Sequence, residues 1–206
     1  MRTYLTKTPW IVQKVFSNYT WCYSSEEKTI YLTFDDGPTP EVTDFVLDEL
    51  KKFNAKATFF CVGENVKRHH QLYERILEEG HAVGNHTFNH LNGFRTKNKQ
   101  YFENIEHAAA HIHSNLFRPP YGKIKKSQGR KLLKDGYQII MWSVLSGDFD
   151  TSVSPEKCYL NVVRHASEGS IVVMHDSIKA KEKIYDSLPK ILNYFSKRGY
   201  RFNRIA

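Results

Sequence analysis

Cysteine is scarce in this chain, and the three present, Cys22, Cys61 and Cys158, are odd in number and far apart. That excludes a disulfide framework, and the spacing lacks the short repeats of a cysteine metal site. Cys61 falls in the apolar run Ala57 to Val62 and reads as a small core residue, which suits a reducing compartment. Long apolar runs are missing too. No stretch reaches the length of a membrane span. Met1 to Val15 is broken by Arg2, Lys7, Pro9 and Lys14, so no signal peptide is expected there. On that ground the chain is expected in the cytoplasm, with association to the cell envelope as the other compartment. Proline (7) and glycine (11) nowhere cluster with serine into an internal linker. With 206 residues and 40% hydrophobic content the sequence reads as one domain, residues 28–206, behind a leader at 1–27. Carboxylates are outnumbered, 22 against 30 Lys and Arg, for a net charge of +8. The basic residues look scattered, as at Lys51-Lys52 and Lys179 to Lys183, and no nucleic-acid-binding signature accompanies them, so no nucleic-acid partner is expected.

Against this background Thr33-Phe34-Asp35-Asp36-Gly37-Pro38 stands out. Two adjacent carboxylates at the end of an apolar run repel one another and resist desolvation, so a compensating cation is expected nearby. His86-Thr87-Phe88-Asn89-His90 offers two imidazoles at an i, i+4 spacing, on one side of a helical turn or a tight loop. One carboxylate with His86 and His90 makes a three-ligand set that leaves a position open for water, the arrangement of a catalytic zinc. Cobalt or nickel suits the same donors.

From Thr29 onward strand-like and helix-like segments alternate. The strand candidates are 29–34, 57–62, 81–84, 116–118, 138–142, 170–174 and 200–203, and the helix candidates are 41–53, 65–79, 100–114, 127–134, 155–165 and 181–197. Such alternation predicts a parallel sheet with crossover helices. Asp35, Asp36, His86, Arg118, Asp148 and His175 all fall at or just after strand ends. In an open sheet, strands about 4.8 Å apart would keep these ends from sharing one small site. A barrel brings them to one mouth, and seven strand candidates predict one that is irregular or incompletely closed.

Arg118-Pro119-Pro120-Tyr121-Gly122 is a rigid turn, since two prolines fix their own φ angles. An arginine held there can orient Asp35 and keep it ionised, which suits a base acting on water and not an acid. Ile171 to His175 is a buried-strand pattern ending in a histidine placed to act as acid or base, and Asp148 is positioned to fix that imidazole and raise its pKa, with Asp150 as its rival. His69, His70, His107, His111 and His113 read as solvated helix positions, and His81 lies at the wrong end of its strand for the site.

These segments together resemble the polysaccharide deacetylases of carbohydrate esterase family 4, over a span from about Thr29 to the C-terminus. Thr33 to Pro38 is similar to that family's T-F-D-D-G-P, His86 to His90 to H-[ST]-x-x-H, and Arg118 to Gly122 to R-x-P-Y-G. The resemblance implies a distorted (β/α)7 barrel with outer helices, and a divalent metal held by Asp36, His86 and His90. It implies Asp35 as general base tethered by Arg118, the Tyr121 backbone N–H on the oxyanion, and His175 as general acid partnered by Asp148. The implied reaction is removal of N-acetyl groups from N-acetylhexosamine units of a peptidoglycan- or chitin-like glycan, by attack of a metal-bound water. The same site could serve an O-acetyl ester or another amide, and a metal-bound, non-catalytic carbohydrate-binding domain is the remaining alternative. Two motifs depart from the family. D-x-x-D-W is Leu145-Ser146-Gly147-Asp148-Phe149 here, and L-x-H is Val173-Met174-His175.

Overall fold

The computed structural model describes residues 4–24 and 27–206; the ends of the leader reading, at Met1 to Thr3 and at Ser25 and Glu26, lie outside the described residues. Among the described residues there are eight strands: β1 (Thr29–Asp35), β2 (Thr58–Cys61), β3 (Ala82–Asn85), β4 (Leu116–Phe117), β5 (Gln138–Ile139), β6 (Val144–Leu145), β7 (Ile171–His175) and β8 (Arg201–Phe202). They alternate with α2 (Val42–Lys52), α3 (Gly63–Arg68), α4 (His70–Glu78), α5 (Asn98–Ala109), α6 (Lys126–Lys134), α7 (Pro155–Val163) and α8 (Lys181–Ser196), behind a short α1 (Trp10–Val15). The order across the sheet is β5-β4-β3-β2-β1-β7-β6, with β8 added to β1, and every pair is parallel.

The seven barrel strands are not the seven expected. The run 138–142 is only in part a strand, and the chain forms a separate β6 that the sequence reading lacked. One apolar stretch serves two strands because β5 and β6 do not pair with each other. Here the N-terminal segment laces the seam instead. The Thr20 N–H donates to Ile139 and Met141 donates back to Thr20, while Leu145 donates to Thr6 and Thr8 to Ser143, all at 2.7 to 2.9 Å. The expected strand at 200–203 lies off the barrel path, as β8.

The expected helix 65–79 is also two. His69, at φ −125° and ψ 50°, breaks it. The first half is tied to the loops at the mouth, with Gly63 and Glu64 N–H donating to Thr87 and Phe88 carbonyls, whereas the second buries Tyr73 and Ile76 against the core. One straight helix could not meet both demands.

Period-two alternation sorts the side chains. Ile30, Leu32 and Phe34 of β1, Phe59 and Cys61 of β2, and Val172 and Met174 of β7 face the helices in the main core. Tyr31, Phe60 and Ile171 instead join Leu116, Ile140 and Ile205 in a separate cluster inside the barrel. The same alternation carries Thr33 and Asp35, and Val173 and His175, to the inside. Asp35 pairs in register with Phe60 on one side and His175 on the other, so the last residues of β1 and β7 enter the mouth side by side.

Candidate active site

Asp35 ends β1, and its side chain is met by an arginine that is itself wholly buried. Arg118 Nη1 donates to Asp35 Oδ1 at 2.7 Å and to Thr33 Oγ1 at 2.6 Å. Its Nε and Nη2 donate to the carbonyls of Ile140 and Met141, both at 3.0 Å. The guanidinium carbon lies 4.0 Å from the Phe60 ring centroid. Burial lowers the Arg118 pKa, with the adjacent Asp35 charge opposing, yet a guanidinium stays charged across the working range. A fixed cation with four of its donors spent therefore holds one oxygen of Asp35.

Asp36 turns away from its neighbour because its backbone adopts φ 83°. Its N–H donates to Phe60, its carbonyl accepts from Asn65 Nδ2 at 2.8 Å, and its carboxylate faces two imidazoles. Asp36 Oδ1 is 3.2 Å from His90 Nε2 and 3.7 Å from His86 Nε2. The two histidines share a tight loop, not a helical turn, with Thr87 and His90 at φ 63° and 54°. Asn104 of α5 braces that loop by accepting from the N–H groups of Phe88 and Asn89.

The donor chemistry fits a divalent cation. One ligand atom each from Asp36, His86 and His90 lie within 4.8 Å of one another. His86 is buried, and burial lowers its pKa to about 4 against the pull of Asp35, so the ring is neutral at pH 7. Its Nδ1 sits 2.7 Å from the Arg118 carbonyl, which can only accept, so Nδ1 carries the proton and Nε2 offers its lone pair to the cup. His90 Nδ1 is likewise engaged, by the Tyr121 hydroxyl at 3.1 Å. Burial opposes ionisation of Asp36, but the His90 hydrogen bond and the surrounding imidazoles hold its pKa well below the usual carboxylate range.

Across the mouth, His175 donates its backbone N–H to Asp148 Oδ2, and its Nδ1 lies 2.7 Å from Asp148 Oδ1. Both oxygens of a buried carboxylate are thus spent on one residue, which fixes the ring with Nε2 at the opening. Burial works against the charged imidazole, but Asp148, with Asp36 and Asp35 beyond it, raises the pKa to about 10. The rival Asp150 is elsewhere engaged, accepting from the Tyr4 hydroxyl at 2.8 Å. Phe149 stands edge-on to the His175 ring with centroids 5.2 Å apart.

Tyr121 is 61% exposed at φ 61°, with its ring centroid 4.5 Å from that of His90. The turn's backbone bonds are donated by Gly122 to Pro119 and Lys123 to Pro120, not by Tyr121. The bystander histidines stay out of the cup: His81 is buried at the far end of β3, accepting from the Ala57 N–H, and His107 stacks on Phe88.

Asp176 is the residue the sequence reading missed. Fully buried, it accepts from the Gly37 N–H at 3.0 Å and from Thr43 Oγ1 at 2.6 Å, which ties β7 to the loop carrying Asp36. Burial pushes its carboxyl up to about 7, with Asp36 adding to the rise and these hydrogen bonds opposing it. The signal was present as an aspartate directly after His175, but its partner Gly37 is distant in sequence.

The family model for polysaccharide deacetylase matches residues 23–140. A peptidoglycan-N-acetylglucosamine deacetylase of Bacillus cereus is 36% identical over 193 residues, covering 91% of each chain. A peptidoglycan-N-acetylmuramic acid deacetylase of Bacillus subtilis is 31% identical over 191 residues, 88% of this chain and 72% of that one. A crystal structure of a peptidoglycan N-acetylglucosamine deacetylase bound to a naphthalenyl N-oxidanyl-benzamide superposes with a TM-score of 0.88 at 31% identity, covering 96% of this chain and 95% of that one. The chain belongs to the polysaccharide deacetylase family, carbohydrate esterase family 4, with that family's deformed barrel. It is accordingly a hydrolase of carbon–nitrogen bonds other than peptide bonds.

Proposed function

We propose that this protein removes N-acetyl groups from N-acetylhexosamine units of a peptidoglycan-like glycan, with residues 28–206 as the catalytic domain and a divalent cation, zinc by preference, held by Asp36, His86 and His90. The observation that carries the reading is the placement of two oppositely equipped groups on adjacent strand ends. Asp35 is held by Arg118 and His175 by Asp148, in register beside the cup.

A divalent cation held by Asp36, His86 and His90 would supply Lewis acidity toward an acetyl carbonyl and toward water. Asp35, with Oδ1 occupied by Arg118, takes the proton of the attacking water on its other oxygen. In this reading the Tyr121 N–H donates to the oxyanion that develops as the carbonyl carbon is attacked. His175 carries both ring protons at neutral pH because Asp148 stabilises its cation, and it passes the Nε2 proton to the sugar nitrogen as the C–N bond breaks. Acetate and a free amine result. An amine leaves poorly unless protonated, so an imidazolium stabilised by Asp148 matches an amide better than an ester.

Acetate release from N-acetylglucosamine oligomers, peptidoglycan strands and O-acetylated sugars, with and without chelator, tests the reading. Release from the first two that stops on chelation and returns with zinc is expected. Release from the O-acetylated sugars alone would overturn it.

A further inference from the structure

The basic residues that look scattered along the sequence are not scattered in space. Residues 92–99 and 121–134 carry nine of the chain's 30 Lys and Arg and no Asp or Glu. The fold joins these two segments. The Gly93 N–H donates to the Lys123 carbonyl at 3.1 Å, Gln128 Nε2 to the Gly93 carbonyl at 3.0 Å, Lys125 Nζ to the Thr96 carbonyl at 2.7 Å, and Asn98 Nδ2 to Ser127 Oγ at 3.2 Å.

Some of the charge is spent locally. Lys131 pairs with Asp135, Lys99 approaches Glu103, and Lys125 is tied to Thr96. Among the described residues Arg95, Lys97, Lys123, Lys126, Arg130 and Lys134 are exposed and make no ion pair. Six like charges on two tied segments repel each other, and the nearby carboxylates Asp135 and Glu103 face Lys131 and Lys99 and pair with none of the six.

The surface begins at the candidate active site. Tyr121, against His90, opens the second segment, and Lys123 Nζ stands 5.7 Å from the ring centroid of the exposed Phe94 in the first. An aromatic pair suited to sugar faces thus leads from the cup to a field of cations.

We infer that residues 92–99 and 121–134 form an anion-reading extension of the site, which holds carboxylates carried by the same glycan strand whose acetamido group enters the cup. The inference rests on the deacetylase reading and narrows its substrate class to a carboxylate-bearing strand over a neutral one. Contiguity with the cup favours a glycan over a free polyanion such as a nucleic acid. Four of the six are lysines, whose ammonium groups are point charges without bidentate geometry, which suits carboxylates spaced along a flexible polymer.

Binding to the full chain is measured with labelled peptidoglycan strands bearing lactyl carboxylates, with the same strands after carbodiimide amidation, and with a polynucleotide of matched charge. Amidation, or the triple substitution Lys97→Gln, Lys126→Gln and Arg130→Gln, is expected to weaken strand binding about tenfold or more at low salt. Raising the salt past about 0.15 M, where the Debye length falls to about 8 Å, should remove most of that difference. Equal binding of native and amidated strands, an unaffected triple variant, or tighter binding of the polynucleotide than of the strand would each overturn the inference. Acetate release from a neutral N-acetylglucosamine oligomer is measured in parallel. Its absence would remove the catalytic reading while the binding result still decides this one.

Discussion

Arg118 and Asp35 meet at 2.7 Å at the mouth of the barrel, and neither could be buried there alone. The guanidinium satisfies one oxygen of the carboxylate and, through Nε and Nη2, the carbonyls of Ile140 and Met141 in the segment just after β5. Breaking such a pair from one side leaves an uncompensated charge in a dry site. Arg118→Met is therefore expected to destabilise the fold by about 3–5 kcal/mol, with Arg118→Met/Asp35→Asn recovering part of the loss. Denaturant titration of the four proteins checks this; a cost under about 1 kcal/mol for the single variant would show that the pair does not organise the mouth.

The cup gives a prediction about metal content. Purified protein is expected to hold close to one zinc or similar ion per chain, and His90→Ala is expected to lose it, while His107→Ala, outside the cup, retains it. Elemental analysis decides. Full retention in a His86→Ala/His90→Ala variant would place the metal elsewhere.

His175 gives a prediction with a sign. Its folded pKa, raised from 6.5 to about 10, means that the stabilising charge pair with Asp148 is complete below pH 6.5 and is lost as pH rises through about 10. Amide turnover should follow the same proton, holding at neutral pH and falling on the alkaline side. A cation on Asp36 offsets one of the charges behind the shift, so the limb is expected below 10. Asp148→Asn moves it lower still. His175→Ala should damage amide hydrolysis far more than hydrolysis of an activated aryl acetate, whose leaving group needs no proton. Equal damage to both substrates would make His175 a positioning residue.

Gly37 gives a packing prediction. A side chain at this position would overlap the Asp176 carboxylate, so Gly37→Ala is expected to cost about 1–3 kcal/mol and to distort the Asp36 loop. Asp176→Ala should relieve part of that cost when combined with it. Independent, additive effects in thermal unfolding would show that the two do not share the space.

Much of this was legible along the chain because strand ends carry sequence signals. Asp35, Arg118 and His175 each lie at the end of an apolar strand, where alternation turns them inward and the barrel brings them to one mouth. The split of the apolar run at Gln138 to Leu145 into β5 and β6 was not legible, since it depends on Thr20 and Thr6 hydrogen-bonding across the seam from the other end of the chain. The break at His69 was hidden because a helical pattern records which residues are apolar and not the direction each half must take. Asp176 and the basic surface escaped for one reason: both arise from pairings between segments distant in sequence, Gly37 with Asp176 and residues 92–99 with 121–134.

The most direct test of the account is the product formed from a defined N-acetylglucosamine oligomer by zinc-loaded wild type and zinc-loaded Asp35→Asn, followed by mass spectrometry. Wild type is predicted to convert acetamido groups to free amines, and Asp35→Asn, folded and with its metal retained, to do so slower by about 10²-fold or more, because an amide cannot take the proton from water. Comparable conversion by the two proteins, or none by wild type, would contradict it.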